Sequence, residues 1–312
     1  MTTPAPNFIG ISVSGEHVRA ALVDEHGSII ESRIGGISKE LIPQLASIVE
    51  DLRNVAGNVA ALGVAIPGLV NRQTDSVVSP RGLPPTMVEN LHGELTRITG
   101  LRVEVENDAN AAAYGEYIVG AGRGSRNLFY MMIGNGIGGA IILDGKLWTG
   151  ASGFAGEVGH ITIDSEGLPC VCGNTGCLET LASAPSIVRR ARERLHRDST
   201  SSLSRLALNK SFTAEDVAHQ ANEGDDFALM MIERTGKYIG TGVASVINLL
   251  NIERIVLGGG VMDAGSLILN PIIREVKRRA FQPCFEATEI VAANLGLDGA
   301  PIGAAMLARD FH

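Results

Sequence analysis

The chain has 312 residues, 45% of them hydrophobic and 19% charged, and a formal net charge of −8. That length and balance suit one large or two medium globular domains with substantial cores. The negative charge argues against nonspecific binding to nucleic acid or to an anionic membrane surface. No segment offers the roughly 20 unbroken apolar residues that span a bilayer, and Met1-Thr2-Thr3-Pro4-Ala5-Pro6-Asn7 has neither the basic flank nor the apolar run of a signal peptide.

In chain order, residues 8–14 read as a strand, with a turn at Gly15 and further strands over 18–23 and 28–32. The pattern predicts an amphipathic helix over 39–54, a buried strand over 59–66 ending at Pro67-Gly68, a helix over 87–99, a strand over 101–105 and an alanine-rich helix over 108–117. Strand, glycine-rich turn, strand, tight turn, strand then returns over 128–148, with Gly134 to Gly139 as the turn. Two copies about 120 residues apart suggest related halves, although two hairpins can resemble each other by chance. Beyond them come helices over 184–197 and 225–250, a strand over 254–257 running into Gly258-Gly259-Gly260, a helix over 270–279, a strand over 289–293 and a last helix over 300–309. The serine-rich stretch 198–211 reads as a loop, and the arginines between Arg189 and Arg197 as a solvated helix face. Strands and helices in this alternation predict an α/β architecture.

Three of the four cysteines fall in one loop. His160, Cys170, Cys172 and Cys177 make a complete tetrahedral ligand set for zinc, with Gly173 and Gly176 letting the backbone turn around a small ion. The plainer alternative is that the cysteines are small buried hydrophobes. Four protein ligands leave no place for an activated water, so such a zinc is structural. Chemistry then falls to neighbours: Glu157 and Glu179 flank the loop as hydrogen-bond acceptors for a polyhydroxylated ligand, or else are solvated surface carboxylates. Reduced thiols serving a metal, with Cys284 single, point to the cytoplasm.

Asp108 follows a strand and opens a helix, where open α/β sheets bind ligands. It can be a simple N-cap or a general base that takes a proton from an attacking hydroxyl. Gly134-Asn135-Gly136-Ile137-Gly138-Gly139 joins two strands, so it is not a dinucleotide fingerprint, but such a turn can present N–H groups to phosphate. Gly258 to Gly260 suits either a flat nucleoside against the backbone or a tight turn.

These readings meet in Glu106-Asn107-Asp108-Ala109-Asn110, in Gly156-Glu157-Val158-Gly159-His160 and in Cys170-x-Cys172-Gly173-x-x-Gly176-Cys177-Leu178-Glu179. On these motifs nearly the whole chain resembles the ROK family of bacterial sugar kinases and sugar-responsive repressors. The resemblance implies a two-domain actin-like ATPase (ribonuclease H-like) fold with a structural zinc loop. The smaller domain would span 1–120 plus 300–312, and the larger 121–299. It also implies Mg-ATP as donor, a hexose or N-acylhexosamine as acceptor, a cleft that closes on the sugar, and commonly a homodimer. Asp108 would be the base; Gly68, Asn107, Glu157, His160 and Glu179 would hold the sugar, with His160 also on zinc. Gly15, Gly134, Asn135 and Gly136 would face the phosphates, and Gly258, Gly259 and Gly260 the adenosine.

Three departures stand out. The family's kinases open with Asp-x-Gly-Gly-Thr-Lys, whereas this chain has Ser12-Val13-Ser14-Gly15-Glu16-His17. Two like unit charges at about 4 Å in a partly screened site repel by roughly 4 kcal/mol, so Glu16 beside a phosphate would cost about a thousandfold in affinity unless magnesium or rotation relieves it. The second loop carries Asn135 for the usual threonine, and Ser79-Pro80-Arg81-Gly82-Leu83 lacks the sugar-contacting asparagine. Repressors of the family carry an N-terminal helix-turn-helix, for which the few residues before the first strand leave no room. The expected activity is therefore sugar phosphorylation, with an impaired sugar-binding regulator as the alternative.

Overall fold

The computed structural model describes residues 5–310 apart from 75, 196–199 and 210. It opens with an antiparallel meander, β1 (Asn7–Val13), β2 (His17–Val23) and β3 (Ile29–Gly36), followed by α1 (Leu41–Arg53) and β4 (Val59–Ile66). A short ribbon of β5 (Leu69–Asn71) and β6 (Ser76–Val78) precedes α2 (Leu91–Thr99), β7 (Arg102–Asn107) and α3 (Asp108–Val119). The first sheet has the order β3-β2-β1-β4-β7, antiparallel through the meander and parallel from β1 to β7. Then come β8 (Leu128–Ile133), β9 (Ile137–Leu143) and β10 (Lys146–Trp148). The helices α4 (Glu179–Ala182), α5 (Ala184–Leu195), α6 (Ser202–Asn209), α7 (Ala214–Asn222) and α8 (Asp226–Leu250) lead to β11 (Arg254–Gly258). The chain ends with α9 (Ser266–Arg279), α10 (Gln282–Glu286), β12 (Glu289–Ala292) and α11 (Gly299–Asp310). The second sheet, β10-β9-β8-β11-β12, repeats the plan of the first, with two antiparallel neighbours and then two parallel ones. The twofold grammar of the sequence is thus a twofold topology.

By its internal packing the chain divides into two compact units. The first holds the residues up to Arg126, Ala140–Gly156 and the chain from Ala293; the second holds Asn127–Gly139 and Glu157–Ala292. In the first unit, β1 and β4 are buried almost throughout because both sheet faces are covered, the usual condition for parallel strands. Ile9, Ile11 and Val13 share one face and join a core with Leu41, Leu45, Val49 and Leu52 of α1, spaced to line one helix face. Each fully buried leucine there contributes about 2 kcal/mol relative to exposure. The alternate residue Gly10 faces α11, so that helix lies on the opposite side of the sheet.

Two expectations fail here. The stretch read as a loop contains α6, because the Asp225 carboxylate gathers the Ser201 and Ser202 hydroxyls and the Ser202 N–H and so starts a helix. The helix expected over 87–99 begins only at Leu91, since Pro84 and Pro85 impose a 3-10 turn first.

Candidate functional site

In the first unit, β7 runs directly into α3, and Asn107 is the residue that caps the helix. Its backbone is extended, and its Oδ1 accepts from the N–H groups of Ala109 (2.9 Å) and Asn110 (3.1 Å). Asp108 is therefore not the cap; it is the first helical residue, at the positive end of the helix dipole, with Oδ1 accepting from Ala109 N–H at 2.9 Å. Beneath them Glu106, 2% exposed, accepts from the Asn107 N–H, the Asn110 amide and the Arg72 guanidinium. This network fixes the junction from three sides.

The Asn107 amide also donates to the Gly68 carbonyl at 2.9 Å. Gly68 has φ +127°, and a Cβ there would lie 2.8 Å from Pro80 Cα and from the Ser79 oxygen. Only glycine fits. The Arg81 N–H donates to the Pro67 oxygen at 3.1 Å, and the neighbouring Gly82 lies against Gly15: a Cβ built on Gly15 would stand 3.9 Å from the Gly82 oxygen. One stretch of this unit thus brings together Asp108, Asn107, Gly68, the 79–83 loop and the β1–β2 turn. That turn is closed on itself, with the Ser14 N–H bonding the His17 oxygen and the Ser14 hydroxyl receiving the His17 N–H. Residues Ser14 to His17 are exposed. Glu16 is exposed there, which leaves its side chain room to rotate.

In the second unit, one ligand atom from each of His160, Cys170, Cys172 and Cys177 lies within 4.8 Å of the others. Cys172 Sγ and Cys177 Sγ are 3.7 Å apart, and Cys170 Sγ is 3.5 Å from His160 Nδ1. Tetrahedral thiolates about 2.3 Å from a central ion stand ~3.8 Å apart, so the donor set fits a thiophilic tetrahedral ion. His160 Nδ1 points into the cluster while Nε2 stands 3.8 Å from Glu157, the arrangement that fixes a ligating imidazole from its outer side. Burial pushes the Cys177 thiol up to about 12, whereas a hydrogen bond from the Asn174 backbone lowers that of Cys172.

Glu157 is exposed, but Glu179 is 9% exposed, and its Oε2 accepts the Ile137 N–H at 2.8 Å. The Ala184 N–H bonds the Gly134 oxygen at 2.8 Å, so the β8–β9 glycine turn is anchored to both α4 and α5. Next to Asn135 a cavity of about 540 Å³ opens, walled by Pro185, Val188, Phe212 and Glu215, with the Arg192 guanidinium over the Phe212 ring at 5.4 Å. Gly260 adjoins it: a Cβ there would stand 3.7 Å from Glu215 Oε1. Gly259, at φ +89°, passes so close to β8 that a Cβ would meet the Ile133 oxygen at 2.4 Å. The glycines after β11 serve strand contact and border the cavity at once.

The cavity's Phe212 and Glu215 were not anticipated from sequence. A signal existed in Thr213-x-x-Asp216, whose side chains cap α7 reciprocally. The arginines of α5 are also not simply solvated. Arg189 lines the cavity and donates to the Thr180 oxygen, and Arg190 is buried against Thr235 of α8; Arg197 lies outside the described residues.

Two sheets on one repeated plan, a carboxylate at a strand-to-helix junction and a Cys/His cluster define an α/β protein of the actin-like ATPase class. The ROK family profile matches residues 8–311, and the chain belongs to that family. It is 34% identical to a glucokinase of Halalkalibacterium halodurans, over 97% of this chain and 94% of that protein. It superposes on a ROK glucokinase of Streptomyces griseus, solved with glucose and AMPPNP, with TM-score 0.83 and 31% identity over 97% of this chain and 99% of the other. A ROK transcriptional regulator, homologous to the E. coli MLC protein, matches with TM-score 0.87 and 28% identity, over 98% of this chain and 78% of its own. Among the described residues no helix is long and apolar enough to cross a membrane.

Proposed function

We propose that this protein is an ATP-dependent sugar kinase acting on a hydroxyl of a hexose or N-acylhexosamine in the cytoplasm, with zinc on His160, Cys170, Cys172 and Cys177 as scaffold. The observation that carries this reading is the division of labour at the α3 start: Asn107 caps the helix, so Asp108 is not required as the cap. In the proposed step Asp108 takes the hydroxyl proton as the sugar oxygen bonds to the γ-phosphorus; the bond from that phosphorus to the bridging oxygen breaks and ADP leaves. Asn107, the Gly68 backbone, Glu157, His160 and Glu179 would orient the sugar. The glycine turns at Gly15 and at Gly134 to Gly136 would approach the phosphates, and the cavity beside Asn135 and Gly260 suits the adenosine. The glucose and AMPPNP of the Streptomyces griseus relative support both halves of this assignment.

A coupled ADP-release assay over glucose, mannose, N-acetylglucosamine and N-acetylmannosamine tests it. Turnover with one of these sugars, abolished by Asp108→Ala, is expected; no turnover with any of them sinks the kinase reading. The changed β1–β2 turn favours a second reading, a sugar-binding regulator without phosphoryl transfer. Calorimetry separates the two: micromolar Mg-ATP binding excludes the regulator, and sugar binding without nucleotide binding excludes the kinase. The exposure of Glu16 weighs toward the kinase.

A further inference from the structure

Helices α8 and α9 leave between them a groove of about 540 Å³ whose walls are cationic. Arg234 and Lys237 come from α8, and Arg274, Arg278 and Arg279 from α9, with Glu275 the one carboxylate among the lining residues. Five positive charges against one leave an excess of four, on a chain whose formal net charge is −8. Glu275 is already spent on two of them. It is buried, accepts from Arg278 at 2.6 and 3.0 Å and also from Arg279, and the Arg278 contact leads in holding its carboxyl down at about 2. Glu233 stands 3.4 Å from Lys237 and 3.6 Å from Arg274, but these are solvent-exposed pairs that a stronger anion can displace. Arg234 has the neutral Tyr238 hydroxyl as its partner, at 3.1 Å.

A sixth cation lies against this wall. Arg190 of α5 is 7% exposed and stands 5.2 Å from the centre of the Tyr238 ring. One of its nitrogens donates to Thr235, and its Nε and Nη1 have no hydrogen-bond partner among the described residues. A buried guanidinium is ordinarily matched by a carboxylate; here burial lowers its pKa to about 10, Tyr238 favours the charge, and the further influences, Arg189, Arg234 and Arg194, share its sign. Such a concentration of one sign focuses potential into the groove.

We propose that the α8–α9 groove is a binding site for an oligophosphate anion. Guanidinium forks match phosphate oxygens in pairs. A single phosphate carries about two negative charges at most near neutral pH and cannot offset an excess of four, whereas a run of three phosphates can. Long nucleic acid is disfavoured by the net negative charge of the rest of the chain. The site is separate from the cavity beside Phe212 and does not depend on the kinase reading. The two do share α5, since Arg189 lines the cavity and Arg190 lies against the groove wall.

Titration calorimetry of the full chain with sodium tripolyphosphate, with orthophosphate as control, tests the proposal. Wild type should bind tripolyphosphate at least about tenfold tighter than orthophosphate. The Lys237→Ala/Arg274→Ala double variant should lose about tenfold or more, one charge-assisted contact being worth that much. Phe212→Ala, in the other cavity, should bind as wild type does. Glu275→Gln should bind more tightly, because it releases Arg278 and Arg279; a merely damaged fold cannot produce that gain. Repeating the titration with ATP separates the sources of the phosphates: tighter binding than tripolyphosphate that is lost in the double variant marks a nucleotide, and equal or weaker binding marks an inorganic chain. Tripolyphosphate held no better than orthophosphate, or wild-type affinity in both groove variants, would overturn the proposal.

Discussion

Replacing Asn107 tests the strand-to-helix junction most directly. Its side chain serves as cap acceptor for Ala109 and Asn110 and as donor to the Gly68 oxygen. Asn107→Ala removes the cap, worth about 1 kcal/mol, and leaves the Gly68 carbonyl without this donor, about 1 kcal/mol more. The sum of ~2 kcal/mol corresponds to a drop of roughly 3 °C in Tm for a chain of 312 residues. Asn107→Ser keeps a cap acceptor but cannot reach Gly68, so it should lose about half as much. Asp108→Asn should melt within about 0.5 kcal/mol of wild type while abolishing turnover, because Asp108 carries no cap. Thermal denaturation followed by circular dichroism, alongside the ADP-release assay, reads both effects. The reasoning is refuted if Asn107→Ala melts with wild type, or if Asp108→Asn proves the less stable variant.

Three further outcomes are expected. Chelation of the proposed zinc should release about one ion per chain and lower the melting temperature, and Cys177→Ser should mimic it; a protein whose melting is indifferent to chelator contradicts the metal assignment. Glu275 has a folded pKa of about 2 against an ordinary value of 4.5, so its stabilisation is complete above about pH 5 and is lost as pH falls toward 2. Discounted for its exposed arginine partners, Glu275→Gln should cost ~1–2 kcal/mol at pH 7, shrinking in urea titrations below pH 4.5; a cost constant with pH would sink that account. Gly259→Ala forces a Cβ to 2.4 Å from the Ile133 oxygen at φ +89°, so a loss of more than about 3 kcal/mol should appear as insoluble or early-melting protein. Normal melting would mean that β8 and β11 can part there.

Most of the fold was legible because the patterns that encode it are local. Alternation marks β1 to β3, a spacing of three and four marks α1, and the repeated hairpin grammar announced the second sheet before any strand order was known. Where local cues were mixed the reading failed. The serines before α6 look like a loop until Asp225, more than twenty residues on, supplies the acceptors that start the helix. The prolines ahead of α2 delay a helix that hydrophobic spacing alone would begin earlier.

The candidate site divides in the same way. The ligand types, their spacing in one short loop and the Asn107-Asp108 pair at the strand end are covalent facts, and the sequence alone determined them. Which of Asn107 and Asp108 caps α3 was decided by backbone geometry, since the capping side chain must belong to the extended residue before the first helical turn. Glu179 lies buried under the Gly134 turn, Phe212 and Glu215 wall a cavity with Asn135, and five cations line one groove; in each case residues far apart in sequence meet only when their elements pack. A sequence carries side-chain chemistry at fixed separations along a chain, whereas burial, exposure and electrostatic potential belong to the folded surface. Glu16 shows the difference: the sequence puts a carboxylate in the β1–β2 turn, and only the fold shows that this turn is exposed.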